Sequence, residues 1–182
     1  MVFENIKEAR FLLFLILYTR KRKNIHFTHH DFKRVTNLTR TQYFQAMKIG
    51  VEISNKKNIG KFIYDHGGFI SGDVSGKYYR KLSKIKNLLN NDLIEKMFVL
   101  KSVLPMNIFL FLLLNYSKSI KIPFTQLKNE LNINHDRYNN INDFKKRVLN
   151  SAKEQLKKYL DFDFDYIISR ETRYKYIIEF IV

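Results

Sequence analysis

No cysteine occurs in the 182-residue chain, which excludes disulfides and thiolate-bound metals and fits a cytoplasmic protein. Tryptophan is also absent, and there are only two prolines. Acid is scarce: 17 Asp and Glu stand against 33 Lys and Arg, a formal net charge of +16. No apolar run is long. The stretch 11–18 is short, and 97–116 is interrupted by Lys101, Pro105 and Asn107, whereas a membrane span needs about 20 apolar residues. No membrane association is expected. The opening Met-Val-Phe-Glu-Asn-Ile-Lys-Glu mixes its charges and no small-residue cleavage site follows, which is not the layout of a secretion signal. Neither G-x-x-x-x-G-K-[ST] nor G-x-G-x-x-G occurs, so a nucleotide-hydrolysing or dinucleotide enzyme has no support.

What is present is a chain rich enough in apolar residues to fold. Hydrophobic residues make up 45%, with 16 Phe and 11 Tyr, and that composition supports a buried core, not a disordered tail. A pI near 9.9 then points to a polyanionic partner, nucleic acid before membrane. The charge is uneven. Residues 1–90 hold 18 Lys/Arg against 6 Asp/Glu, and residues 91–182 hold 15 against 11, so the first half is the stronger electrostatic footprint.

Along the first half, a helix is expected over 4–20 with Ile6, Ala9, Leu12, Leu13, Ile16 and Leu17 inward, ending in the cationic Arg20-Lys21-Arg22-Lys23. A short strand at 25–28, a helix to about Val35 with Phe32 inward, and a third helix over 41–54 follow. That third helix is capped by Thr39 or Thr41, with Phe44, Met47 and Val51 inside. Five of the six glycines lie between 60 and 76 and bracket a hairpin of 61–64 and 69–71. Residues 78–95 read as one polar connecting helix.

The second half repeats that order. A helix over 100–116, with Pro105 in its first turn, leads to an extended piece at 120–124, a helix over 125–131 and a turn at 132–137. Then Ile141, Phe144, Val148, Ala152, Leu156 and Tyr159 recur at three- and four-residue steps, one buried helix face. Asn142, Lys145, Lys146, Asn150, Lys153 and Lys157 form the opposite, basic stripe. From Asp161 the period becomes two: Phe162, Phe164, Tyr166 and Ile168 alternate with Asp161, Asp163 and Asp165. After a polar break at 169–172, Tyr174, Tyr176, Ile178 and Phe180 alternate again. A basic amphipathic helix followed by a hairpin is how a winged helix ends.

The run Tyr138-x5-Phe144-Lys145-Lys146-Arg147-Val148-Leu149-x2-Ala152, with its D-F-x-F/Y and final I-x-F strands, resembles the C-terminal winged helix of plasmid replication initiator (Rep) proteins of the iteron-binding, theta-replication type. The likeness covers about residues 98–182. It implies an α+β chain of two tandem winged-helix domains, helix-rich with small β-hairpin wings, divided as 1–88 and 89–182. It also implies double-stranded DNA with origin repeats as partner, origin opening, host helicase-loading proteins, and a homodimer that represses its own gene. No cofactor and no bond chemistry are implied.

Candidate contacts follow from the layout. Asn139 and Asn142 suit adenine edges, and Lys145, Lys146 and Arg147 suit guanine or phosphate, with Asn150 and Lys153 further along the stripe. Arg147, flanked by core positions, has an internal pair as its alternative. In the first half Arg40, Thr41, Gln42, Gln45 and Lys48 occupy the matching exposed helix, with dimerisation of that half as the competing use. At the second hairpin tip Arg170 and Arg173, beside Lys175, suit backbone phosphate, the alternative being pairs with Asp161, Asp163 and Asp165. The cluster His26-Phe27-Thr28-His29-His30 invites a metal-dependent nicking enzyme, but H-x-x-H-H does not place its outer histidines on one side of a strand, and only Asp31 is near. A regulator of the same fold without origin function, and a basic protein coating DNA without sequence choice, are the other rivals.

Overall fold

The computed structural model describes residues 2–18, 23–36, 38–65, 67–115, 119–172 and 175–182. Contacts divide the chain into two compact units, Glu4–Lys101 and Ser102–Val182, the latter joined by Met1–Phe3. The division lies beyond residue 88 because the helix Asn91–Met97 buries Ile94 and Met97 and packs against the first helix of the chain.

The first unit begins with α1 (Ile6–Tyr18), whose apolar residues run round the helix and are buried from Phe11 to Leu17. Such a helix needs cover on several sides. It receives it from α3 (Arg40–Lys56) on one side and from an aromatic cluster on another, where Phe14 lies 4.5 Å from Phe27 and 4.6 Å from Phe32, ring centre to ring centre. Between these helices come β1 (Asn24–Thr28) and α2 (His29–Thr36); after them come β2 (Gly60–Tyr64) and β3 (Phe69–Val74). The sheet is antiparallel in the order β1-β3-β2. At Gly72 the backbone φ is +152°, and a Cβ would stand 2.1 Å from the Lys61 carbonyl oxygen, so only glycine lets the strands approach there.

The single helix expected over 78–95 is two, α4 (Gly76–Leu88) and α5 (Asn91–Met97). Asn90 divides them: its backbone is extended, and its side-chain oxygen accepts the Leu93 N–H at 2.7 Å as an N-cap.

The second unit runs α6 (Val103–Leu114), β4 (Ser119–Pro123), α7 (Phe124–Glu130), a long turn, α8 (Ile141–Phe144), a π-helical stretch (Lys145–Asn150), α9 (Ser151–Leu160), β5 (Asp165–Thr172) and β6 (Lys175–Ile181). Its sheet order, β4-β6-β5, reproduces that of the first unit: the early strand pairs with the last, and the middle strand lies outside. The α+β tandem architecture is therefore a repeat of topology. Phe3 belongs here because the buried Asn107 side chain accepts the Phe3 N–H at 2.9 Å and donates to its carbonyl at 3.0 Å.

Two details of the hairpin differ from the sequence pattern. The run from Asp161 to Phe164 is a link, not strand: Asp161 turns left-handed (φ +52°) to end the helix, and the Phe162 N–H bonds the Leu156 carbonyl at 3.2 Å. Nor do residues 169–172 break the strand. They continue β5, with a register irregularity between Arg170 and Thr172. No described helix is long and apolar enough to cross a membrane.

Candidate nucleic-acid interface

The exposed helix of the second unit is set in place by a turn that one lysine organises. Phe124, Leu127 and Leu131 form the inner side of α7, and Lys128 lies among them, 4% exposed. A buried ammonium needs acceptors. Lys128 Nζ donates to the His135 carbonyl at 2.7 Å and to Asn139 Oδ1 at 3.2 Å, and stands 5.6 Å from the centre of the Phe124 ring. The turn it holds contains two left-handed residues, Asn132 and Tyr138. It ends at Asn140, whose Oδ1 accepts the Asn142 N–H at 2.8 Å and caps α8. Asp143 in the first helical turn suits the positive end of the helix dipole. An open groove of about 630 Å³ lies between α7, the turn and the helix start, lined by Phe124, Lys128, His135, Asn139 and Asn142.

From Ile141 to Leu160 the helix buries Phe144, Val148, Leu149, Ala152, Leu156 and Leu160. Ile141 and Tyr159, expected inside, are only half-buried, and Leu149 and Leu160 are the core positions instead. The cause is geometric. Steps of four from Phe144 to Leu160 overshoot each α-helical turn by about 40°, and the wider i→i+5 turns over Lys145–Asn150 absorb part of that drift. Asn142, Lys145, Lys146 and Arg147 consequently share the exposed side of the helix's first half. Among the described residues none of these three cations forms an ion pair, so the internal pair considered for Arg147 is not made.

The second half of the stripe is occupied. Asn150 Oδ1 accepts the Tyr166 hydroxyl, Lys153 Nζ binds the Asp165 carboxylate and lies 3.9 Å from Asp163, and Lys157 bonds Asp163 at 2.7 Å. Asn139, expected at the helix start, sits in the turn before it, exposed but with its oxygen on Lys128. Arg170 lies in β5 near the tip; its Nε donates to the Thr172 carbonyl at 3.3 Å and its guanidinium is 6.0 Å from the centre of the Tyr176 ring. Of Asp161, Asp163 and Asp165, offered as partners for the wing cations, Asp163 and Asp165 bind helix lysines. Arg173 lies outside the described residues.

In the first unit α3 starts at Arg40 with Thr39 as its N-cap residue. Arg40, Thr41, Gln42, Gln45 and Lys48 are all exposed. Gln42 is already used locally, its Oε1 accepting the Thr39 N–H at 3.1 Å. Arg40 lies 5.8 Å from the ring centre of Phe44, which is half-buried where a core position was expected, while Tyr43, Ala46, Met47, Gly50 and Val51 form the inner face. Of the cationic run, Arg20, Lys21 and Arg22 lie outside the described residues.

The histidines do not converge. His26 is exposed on β1 and stacks on Phe69, and His29 begins α2 beside His30 and Tyr43. Asp31 is engaged by the Thr28 N–H at 2.9 Å and hydroxyl at 3.0 Å. Burial would raise its pKa, but these bonds, with one from Tyr18, outweigh it and hold the carboxyl below its ordinary value. Among the described residues no group of three His, Asp or Glu is placed to hold a metal ion.

Lys128, Asn140 and the π-helical stretch are the functional features that sequence reasoning missed. Lys128 had a signal: it is the one charge on the i, i+3, i+4, i+7 face made with Phe124, Leu127 and Leu131.

Residues 123–181 match the family model described as initiator Rep protein, WH2. Two solved structures share the fold. One is the Pi initiator protein in complex with iteron DNA, at 16% identity and a TM-score of 0.66, covering 98% of this chain and 95% of that one. The other holds domains 2 and 3 of RctB, at 9% identity and a TM-score of 0.58, covering 97% and 81%. Among curated proteins no significant sequence match is found.

Proposed function

We propose, from the premise that residues 123–181 form an initiator Rep winged-helix domain, that the chain is a replication initiator that binds repeated origin DNA. The observation that carries this reading is the open first half of the 141–160 helix within that matched segment. Asn142, Lys145, Lys146 and Arg147 stand together on one exposed side, and the cations lack internal partners among the described residues. The width of a major groove admits such a helix, and residues near its N-terminus reach base edges. The lysines exchange counterions for phosphate and supply affinity that salt weakens.

In this reading Arg40, Thr41, Gln45 and Lys48 of α3 approach a second segment of the duplex, and Arg170 with Arg173 reaches backbone at the wing. The Pi protein, of the same fold, is seen on iteron DNA, which supports tandem winged helices engaging a duplex. Origin opening, recruitment of helicase-loading proteins and a dimeric repressor form are its finer consequences, drawn from the family likeness. The work is binding and deformation of DNA, without bond chemistry.

The deciding experiment is fluorescence anisotropy across a salt series, on a duplex taken from directly upstream of the gene and on a shuffled duplex. The expected result is a preference of about a thousandfold or more that persists at physiological salt. Equal binding to both, vanishing with salt, would refute it. Origin-dependent replication of a plasmid carrying only this gene and its upstream repeats separates an initiator from a regulator. Metal-dependent nicking of supercoiled plasmid, lost on His26→Ala/His29→Ala, would overturn the non-enzymatic reading.

A further inference from the structure

The link between α9 and β5 and the first residue of that strand place two carboxylates against the basic stripe. Asp163 takes the Lys157 ammonium at 2.7 Å and lies 3.9 Å from that of Lys153, which Asp165 also binds. The Tyr166 hydroxyl, next in sequence, closes on Asn150. Three near neighbours, Asp163 in the link and Asp165 and Tyr166 at the start of β5, thus engage the three polar side chains that continue the stripe beyond Arg147. The arrangement is selective: Lys145, Lys146 and Arg147, on the same helix, form no ion pair among the described residues, although Asp143 stands in the first turn before them.

Burial does not require these pairs. The side chains of Asp163 and Asp165 are 49% and 74% exposed and that of Lys157 is 66% exposed. Pairs this open add little to stability. Their electrostatic effect on a polyanion is larger, because each carboxylate both neutralises a lysine and repels an approaching phosphate. The Asp165 hydrogen bond raises the Lys153 pKa, and the Lys157 hydrogen bond lowers that of Asp163.

We propose, resting on the DNA-binding reading above, that Asp163 and Asp165 are specificity determinants: they screen Lys153 and Lys157 from the duplex and confine contact to the first half of the helix. In a sequence-specific pose, contacts from Asn142 to Arg147 fix the helix in the groove. Lys153 and Lys157 then lie roughly 10–17 Å further along its axis. A pose unconstrained by bases is free to tilt those lysines onto phosphate, and it is this pose that the carboxylates penalise. The acid at the base of the hairpin thus lowers background binding, which a chain of charge +16 would otherwise favour.

The test is the double variant Asp163→Asn/Asp165→Asn, with Lys153→Gln/Lys157→Gln beside it, in the anisotropy series on upstream and shuffled duplexes. For the Asn pair, binding to shuffled duplex is expected to rise about tenfold and its log–log salt slope to steepen by up to about two, one for each lysine released. Binding to the upstream duplex is expected to change less than about threefold, so the preference falls. The Gln pair, in the native carboxylate background, is expected to leave the salt slope unchanged. Unchanged shuffled binding by a folded Asn pair would overturn the proposal, as would a slope lowered by about two in the Gln pair. If instead the unaltered protein shows no preference for the upstream duplex, the DNA-specific reading itself has failed. The two failures are therefore distinguishable.

Discussion

The wing of the first unit is built on glycine, and that of the second contains none. Gly60, Gly67, Gly68 and Gly72 lie in or between β2 and β3, whereas no glycine occurs after Gly76. The second hairpin is shaped by its register irregularity between Arg170 and Thr172. The exposed helices contrast in the same way. The α3 helix is regular over its 17 residues. The helix from Ile141 changes to a π-helical course in the middle and is preceded by a turn held on a buried lysine. One strand order is thus reached by two sets of local devices, and strand order is a property of long-range pairing more than of any turn residue. The pairing of cations differs too: in the second unit Lys153 and Lys157 are paired with acids and Lys145, Lys146 and Arg147 are not, whereas among the described residues no cation within α3 forms an ion pair.

Breaking the second helix is expected to have the largest effect. Phe144→Ala removes a ring fully buried and edge-on to Phe124 at 4.9 Å. The loss should be about 3–5 kcal/mol, read from denaturant unfolding. A comparable truncation in α3, Val51→Ala, should cost less, because fewer buried carbon atoms are removed. Next comes Lys145→Ala/Lys146→Ala, which should lower the salt slope of DNA binding by about two and keep the fold. An unchanged slope would refute the placement of this helix on DNA, and an equal drop from Arg40→Ala/Lys48→Ala would make the two helices equivalent in phosphate contact.

Lys128→Met sharpens the contrast in how the helices begin. It retains most of the apolar stem but leaves the His135 carbonyl and Asn139 Oδ1 without their donor, at about 1–3 kcal/mol. Hydrogen exchange should quicken over 132–140 and remain unaltered over α3. The smallest effect concerns acid. The Asp31 pKa is lowered in the folded protein, so its contribution to stability is present above the ordinary carboxylate value and is lost as pH falls through the lowered one. Asp31→Asn should therefore flatten the acid limb of the first unit's stability curve, measured by thermal melts from neutral to acidic pH. A limb of unchanged slope would show that the Thr28 bonds do not anchor that carboxylate.

Much of this organisation could be read from residues in order. Period-two alternation found β6, and the apolar run of α1 announced a helix covered on several sides. The glycine cluster located the first wing. What stayed hidden has a physical reason in each case. The steps of four along Phe144–Leu160 look α-helical to any three-or-four rule, and only the drift they would accumulate betrays the π-helical correction. Asp161 and Asp163 alternate with phenylalanine as a strand would, yet Asp161 takes the left-handed conformation that ends a helix. The exposed positions Arg40, Gln45, Lys145 and Lys146 were legible from helical phase. The engagement of Asn150 and Lys153 was not, since it depends on where the chain turns after Leu160.

The clamp between Phe3 and Asn107 sets an order of events during synthesis. The side chain that grips the Phe3 backbone is made 104 residues after it, with the whole of Glu4–Lys101 synthesised between them. A contact so distant in sequence closes late. The first unit can therefore form while Phe3 still waits, and the second unit is completed only when Phe3 meets a helix encoded about a hundred residues after it.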